Sequence, residues 1–350
     1  MSRNTIVNIG FIGCGSWGRI IANAIKRSAK AELVTCFDII LENRRKFSEK
    51  LECDQETSYE NLLKRDDVDA VVLASPNAVH AEQTVLAAQY GKHVFVEKPI
   101  ANTIADGKKM IEACQKANVV LMVGHARRRN PGNRKVKELI DGGVIGAPIM
   151  VEANVSNYLG FELTPDKFRW HGDDSGCPAG ALMTMGIHHV DTLNYFFGPI
   201  KTVFSYFNKL YIPAAVEDVT ATVCLFDSGI LGYVGANYAS PKANWMYIYG
   251  TEANLLWSVS YPELPFDEYL QAVSNVSNYT RLMLYEKGKE AREIPLVPVD
   301  PVLEEINEFS HCILNGDHPE TDGHGALIAL AFIRAAIESA RTGKQVKVEI

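Results

Sequence analysis

Three groups of residues in this chain have the types and spacing that chemistry requires. The first is GALMTMGIHHVD, Gly180 to Asp191, where His188 and His189 are adjacent and Asp191 follows. An imidazole exchanges a proton near neutral pH, so the pair is a candidate for acid–base work or for ligating a metal. The second is Glu97-Lys98-Pro99, which ends the run HVFVEKP. A lysine beside a hydroxyl polarises it or takes part in its proton transfer. Pro99 restricts Lys98 to extended geometry and so aims its side chain. A surface lysine paired with Glu97 fits the same tripeptide. The third is GFIGCGSWGRI, in which Gly13, Gly15 and Gly18 form G-x-G-x-x-G. There the first glycine permits a tight turn and the second lets backbone N–H groups approach a pyrophosphate. The third lets helix and strand pack closely.

The glycine pattern draws its weight from its surroundings. It follows the apolar run VNIGFIG, opens the helical pattern SWGRIIANAIKRSA, and is followed by AELVTCFD, which ends in Asp38. Asp38 lies 20 residues past Gly18, where an acid accepts hydrogen bonds from adenosine ribose hydroxyls. Ser16 and Trp17, inside the loop, belong to the same expected dinucleotide site. A carboxylate repels a 2′-phosphate, which favours NAD. Arg44 and Arg45, one turn into the next helix, keep NADP open.

The histidine pair divides by helical geometry. A helix running on through VDTLNYFFG to a stop at Gly198-Pro199 puts Thr184, His188 and Asp191 on one face. His189 is turned about 100° away. His188 is therefore expected to meet a substrate and His189 to pack elsewhere. Diverging rings make a poor ligand set, so no metal is expected.

These residues need elements to hold them. VNIGFIG, AELVTCFD, DAVVLASP, HVFVEKP and VVLMVGHA read as buried strands, with helical patterns between them. That alternation predicts a doubly wound parallel sheet of the Rossmann kind. After about Gly146 long strand-like runs take over, separated by turns such as Asp227-Ser228-Gly229. They predict an α+β domain on a mostly antiparallel open sheet. The expected domains are residues 1–126, binding the dinucleotide, and 127–350, binding substrate. PVLEEINEFSHCILNG and GALIALAFIRAAIESARTG read as closing helices, the last with room to pack back on the first domain.

Bulk properties narrow the partners. With 350 residues, 47% hydrophobic and 22% charged, the chain has the make-up of a two-domain globular protein. Its net charge of −7 argues against nucleic acid or an anionic membrane as partner. Cys14, Cys36, Cys53, Cys114, Cys177, Cys224 and Cys312 are scattered without CxxC spacing, which fits free thiols in a reducing cytoplasm. The apolar run Ala326 to Ile333 falls far short of the roughly 20 residues of a membrane span. Ile6 to Ile12 runs straight into the glycine turn, unlike a signal peptide.

The glycine turn, the EKP and the G-x-H-x-x-D of Gly186 to Asp191, in that order, resemble the Gfo/Idh/MocA oxidoreductase family. ASPNAVHAE, GHARRRNPGNRKVKELI and the closing helix extend the resemblance over nearly the whole chain. It implies hydride transfer between NAD(P) and a secondary alcohol or ketone of a sugar, cyclitol or related polyol. Lys98 matches the lysine near both the reacting hydroxyl and the nicotinamide, which makes it a cofactor contact as well, and His188 matches the histidine of G-x-H-x-x-D. Ser75, Pro76, Asn77 and His80 match the third-strand cofactor motif, and Glu97 belongs to the EKP. Arg128 matches an arginine that approaches the nicotinamide end. The family often keeps an aspartate where this chain has Thr184, and Trp-Arg where it has Trp170-His171 after Arg169. A threonine is no general base, so proton transfer would fall mainly on Lys98 and His188. Trp170 suits a sugar face or core packing alike, and Arg169, His171, Asn157, Tyr158 and Thr184 are further candidates for holding a polyol. The family's habit implies a homodimer or homotetramer built on the open sheet. It also admits an NAD-dependent glycosidase working by transient oxidation, and a non-catalytic NAD-binding regulator.

Overall fold

The computed structural model describes residues 5–163, 176–264, 268, 272 and 275–350. The chain divides into two compact units. One ends at Ala126 and takes up Asp300–Leu327. The other comprises Arg127–Leu264, Asn275–Val299 and Ile328–Ile350.

The first unit is built on strands β1 (Val7–Ile12), β2 (Ala31–Phe37), β3 (Asp54–Gln55), β4 (Ala70–Leu73), β5 (His93–Glu97) and β6 (Leu121–Gly124). All pair in parallel, in the order β3-β2-β1-β4-β5-β6. β4 and β6 are buried at every position, as a sheet covered on both faces requires. Helices α1 (Ser16–Arg27), α2 (Leu41–Leu51), α3 (Tyr59–Leu63), α4 (His80–Gln89) and α5 (Ile104–Ala117) supply the cover. Of the strands, only the two-residue β3 has no counterpart in the sequence reading; it is too short and polar to register as an apolar run. The strand order reverses between β1 and β4, which opens a crevice at their carboxyl ends.

Helix Pro301–Asn315 belongs to this unit, whereas the sequence reading ran the second domain unbroken over 127–350. The reason is apolar burial. Val302, Ile306 and Phe309 join the core formed by Ile9, Phe11 and Phe47, and Phe309 meets the Phe95 ring edge-on at 5.8 Å. Each such buried side chain contributes about 1.5–3 kcal/mol. Helix Gly323–Thr342 is the one helix among the described residues long and apolar enough to cross a membrane by length and composition. Since 61% of its apolar window is buried within the fold, those residues serve the core.

The second unit holds α6 (Pro131–Asp141), α7 (Ile187–Phe197) and a second sheet. Its strands are β7 (Pro148–Ser156), β8 (Ile200–Asn208), β9 (Val219–Phe226), β10 (Leu231–Asn237), β11 (Ala243–Gly250), β12 (Ala253–Val259), β13 (Thr280–Glu286), β14 (Arg292–Glu293) and β15 (Val346–Lys347). The order is β14-β13-β12-β11-β7-β10-β9-β8-β15, and every pair except β7–β10 is antiparallel. Period-two alternation gives the sheet two unlike faces. One in-register row, Cys224, Gly232, Val151, Ile248, Leu255 and Leu284, is buried. The next row, Val223, Tyr233, Glu152, Tyr247, Leu256 and Met283, is half-buried or exposed. The parallel sheet and the mostly antiparallel sheet are those expected from the sequence.

Candidate active site

In the first unit the three glycines meet three different demands. Gly13 has φ +93°, and a Cβ there would lie 2.5 Å from the Ala74 carbonyl carbon and oxygen. A Cβ on Gly18 would strike the Gly13 carbonyl oxygen and crowd the Phe11 ring at 3.0 Å. Both glycines are required by the protein itself. Gly15 is not: its φ is −72°, open to any residue, and nothing lies within 4 Å of its would-be Cβ. It also begins α1 with no side-chain cap, and the first turn of α1 holds no acid. By contrast, Thr103 caps α5, and Asp106 stands in the first turn of that helix. An open cradle over uncapped amides at a positive helix end is what a pyrophosphate needs.

The remaining dinucleotide residues line the same sheet end. Asp38, just past β2, accepts from the N–H groups of Cys14 and Ile40, each at 2.8 Å. Its carboxylate is thus held by the glycine loop itself. The next residues are exposed and apolar, Ile39 at 89% and Ile40 at 54%. Arg45 pairs with Glu49 at 3.4 Å. After β4, Ser75 Oγ donates to Gln83, and Asn77 is buried with its Nδ2 lacking a partner among the described residues. A buried donor without an acceptor costs about 1–3 kcal/mol, so a ligand acceptor there would be strongly bound. Pro76 precedes the short 3-10 turn Asn77–Val79. These features fit NAD.

Lys98 follows β5 and is half-buried, and its bond to Pro99 is cis. The Lys98 N–H donates to Glu97 Oε2 at 3.2 Å. Burial pushes the Glu97 carboxyl up, opposed by the Lys98 charge and by Trp17. Gly124 makes room for it: a Cβ there would lie 2.8 Å from Glu97 Oε1. His80, expected beside the cofactor, is fully enclosed instead, its ring between the carbonyls of Ser75 and Pro99.

In the second unit the stretch Gly180–Asp191 departs from a plain helix. Leu182–Gly186 is a π-turn, and α7 begins at Ile187. The inserted turn breaks the i, i+4 relation between Thr184 and His188 on which the shared face depended. Thr184 Oγ1 bonds the Gly180 carbonyl at 3.1 Å and pairs with the Tyr238 hydroxyl. Asn157 is likewise engaged: Nδ2 reaches Met185 Sδ at 2.9 Å, and Oδ1 accepts from the Leu159 N–H. Tyr158 donates to Glu263 at 2.9 Å beneath Lys242. Each of these three was expected at a substrate; each has protein partners. Arg169, Trp170 and His171 lie outside the described residues.

His188 and His189 separate. His188 is half-buried. His189 is buried edge-on against Trp257, and burial takes its imidazole down to about 4, so it is neutral. Asp191 is buried and takes Arg128 as a fork, with 2.9 Å to Nε and 2.7 Å to Nη2. The Tyr195 ring lies 5.6 Å from the same guanidinium. Arg128, expected near the nicotinamide, is thereby anchored on α7. This pairing spans 63 residues, and no periodicity could have disclosed it. Among the described residues no three His, Cys, Asp or Glu side chains gather as a metal site.

Comparison with known proteins agrees with this geometry. Residues 7–125 match the model of an oxidoreductase family with an NAD-binding Rossmann fold, and residues 133–256 match the GFO/IDH/MocA C-terminal domain. A crystal structure of an oxidoreductase from Desulfitobacterium hafniense, described as NADPH-dependent, superposes with TM-score 0.92 at 31% identity, over 98% of each chain. The myo-inositol 2-dehydrogenase of Thermotoga maritima is 29% identical, covering 98% of this chain and 99% of its own. The NADP-dependent D-xylose 1-dehydrogenase of Haloarcula marismortui is 26% identical over 98% of this chain and 93% of its own. An NAD-type cradle at the switch point of one sheet, and both domain models matched in order, make this chain a member of the Gfo/Idh/MocA family of NAD(P)-dependent oxidoreductases.

Proposed function

We propose that the chain interconverts a secondary carbinol and its ketone on a sugar, cyclitol or related polyol, with NAD as its preferred cofactor. The observation that carries this reading is the position of Lys98. It leaves β5 at the same sheet end where the glycine loop leaves β1, with β4 between them. Bound nicotinamide supplies the hydride chemistry. Lys98 polarises the carbinol oxygen and handles its proton, and His188 is the second proton-handling group. Gly13, Gly15, Ser16, Trp17, Gly18, Asp38, Ser75, Pro76, Asn77 and Glu97 form the dinucleotide site, within a cofactor domain of residues 1–126 that helix Pro301–Asn315 completes, and the rest of 127–350 provides the substrate domain. The sugar and inositol dehydrogenases among the relatives support the substrate class. A panel of pentoses, hexoses and inositols, assayed for NADH with NADP in parallel, tests it. No NADH from any of them sinks the reading, and bond cleavage without net NADH identifies the glycosidase alternative.

Cofactor choice follows from Asp38 and Ile39. A carboxylate clamped by two amides cannot swing away from a 2′-phosphate, and Ile39 offers that phosphate no hydrogen bond. Asp38→Ser combined with Ile39→Arg is expected to move the NAD/NADP ratio of kcat/KM by about a hundredfold toward NADP, since a phosphate–arginine pair replaces a repulsion. An unchanged ratio rejects this assignment.

The half-exposed sheet face supports a homodimer or homotetramer. Tyr247 lies at its centre, 4.6 Å from the Tyr249 ring and 6.0 Å from that of Tyr285, and Leu231 and Val223 are more than half exposed. A broad aromatic surface of this kind is typical of an interface core. Tyr247→Arg is expected to shift the protein to a smaller species in light scattering; an unaltered mass rejects this face as the interface. Seven free thiols support a cytoplasmic location.

A further inference from the structure

His80 opens α4, and its ring is fully enclosed between two strand ends. Nδ1 lies 3.0 Å from the Pro99 carbonyl oxygen and Nε2 lies 2.9 Å from that of Ser75. Both neighbours are acceptors, so each favourable contact needs a ring N–H. Burial pushes this imidazole down, against the pull of the backbone at Ser75, Pro99 and Ile100. A neutral ring carries one proton, and two of those three backbone groups belong to the turn after Lys98. An enclosed ring cannot touch a dinucleotide or a sugar. Whatever it contributes must pass through the two loops it joins, one bearing Ser75 and the other bearing Lys98.

We propose that His80 is the positioning residue for Lys98, its single ring proton carried on Nδ1 and donated to the Pro99 carbonyl. That bond fixes the backbone directly after Lys98 and, through it, the lysine amine. The proposal rests on the reading of Lys98 given above. Its consequence is a separation of effects, because only the Nδ1 side makes a favourable contact.

Asparagine places its amide near the Nδ1 position of a histidine, and glutamine places its amide near Nε2. His80→Gln gives up the Pro99 contact. It is expected to lower kcat by about thirtyfold, with KM and the NAD Kd within about threefold, because small misplacements of a reacting group cost up to about a hundredfold. His80→Asn keeps the Pro99 contact and removes only the bare ring edge opposite the Ser75 carbonyl. Its kcat and its NAD Kd are both expected within about threefold of wild type. An unchanged kcat in His80→Gln, or equal losses in both variants, overturns the proposal. Nitrogen-15 spectra of wild-type protein test it without any variant. A proton on Nδ1 is expected, and a bare Nδ1 overturns it. Wild-type turnover on the polyol panel, measured alongside, separates the two failures. An inactive wild type defeats the functional reading, while an active one with an unaffected His80→Gln defeats only the positioning role.

Discussion

Lys98→Ala is expected to lower kcat by about a thousandfold, within the range of about 10²–10⁴ that a positioned acid–base group contributes. NAD binding should stay within about threefold of wild type, because the lysine amine acts on the carbinol rather than on the phosphates. The dinucleotide site is made by other parts of the sheet end: the amides of α1, the Asp38 carboxylate and Asn77. Pre-steady-state assays with a polyol found active on the wild type, together with NADH fluorescence titration, measure the two quantities separately. A fully active variant removes Lys98 from the mechanism. A variant that loses NAD binding and activity together makes Lys98 a cofactor residue only. Retained binding without turnover would also set this chain apart from a non-catalytic NAD-binding regulator, since such a protein has no turnover to lose.

Gly15→Val is expected to weaken NAD binding by about a hundredfold, equivalent to about 2.7 kcal/mol, while leaving the folded protein intact. The φ of −72° at Gly15 suits valine, and nothing within 4 Å meets the new Cβ, so the melting temperature should move by no more than about 2 °C. Gly13→Ala provides the contrast. Its φ of +93° and the Ala74 backbone 2.5 Å from its Cβ make that change destabilising by more than about 1 kcal/mol. Two glycines two residues apart thus fail in different ways, one in binding and one in folding. Should Gly15→Val bind NAD as tightly as wild type, the cradle is not the pyrophosphate site.

Much of the architecture was legible without coordinates. The parallel sheet announced itself because strands buried on both faces must be continuously apolar, and β4 and β6 are so at every position. The hairpin at Asp227-Ser228-Gly229 was legible because its turn residues are demanded by local geometry. The G-x-G-x-x-G and Asp38 were legible for the same reason: the chemistry of one short segment sets its spacing. The helix Pro301–Asn315 was legible as a helix, but not as part of the first unit's core. An apolar stripe states that something must cover it and does not state what.

Sequence by itself therefore determined the two sheets, the glycine loop with its acid, and the residue types able to move a proton. Each of these depends on local periodicity or on a motif a few residues long. Tertiary structure alone decided how those residues are engaged. The Thr184 hydroxyl pairs with Tyr238, just past the end of β10, and the π-turn at Leu182–Gly186 shifts the helical phase expected to align it with His188. Asp191 anchors Arg128 across 63 residues, and His80 joins two strand ends whose carbonyls no pattern could have aimed at it. Such pairings are set by how elements pack, and packing distance has no fixed relation to distance along the chain.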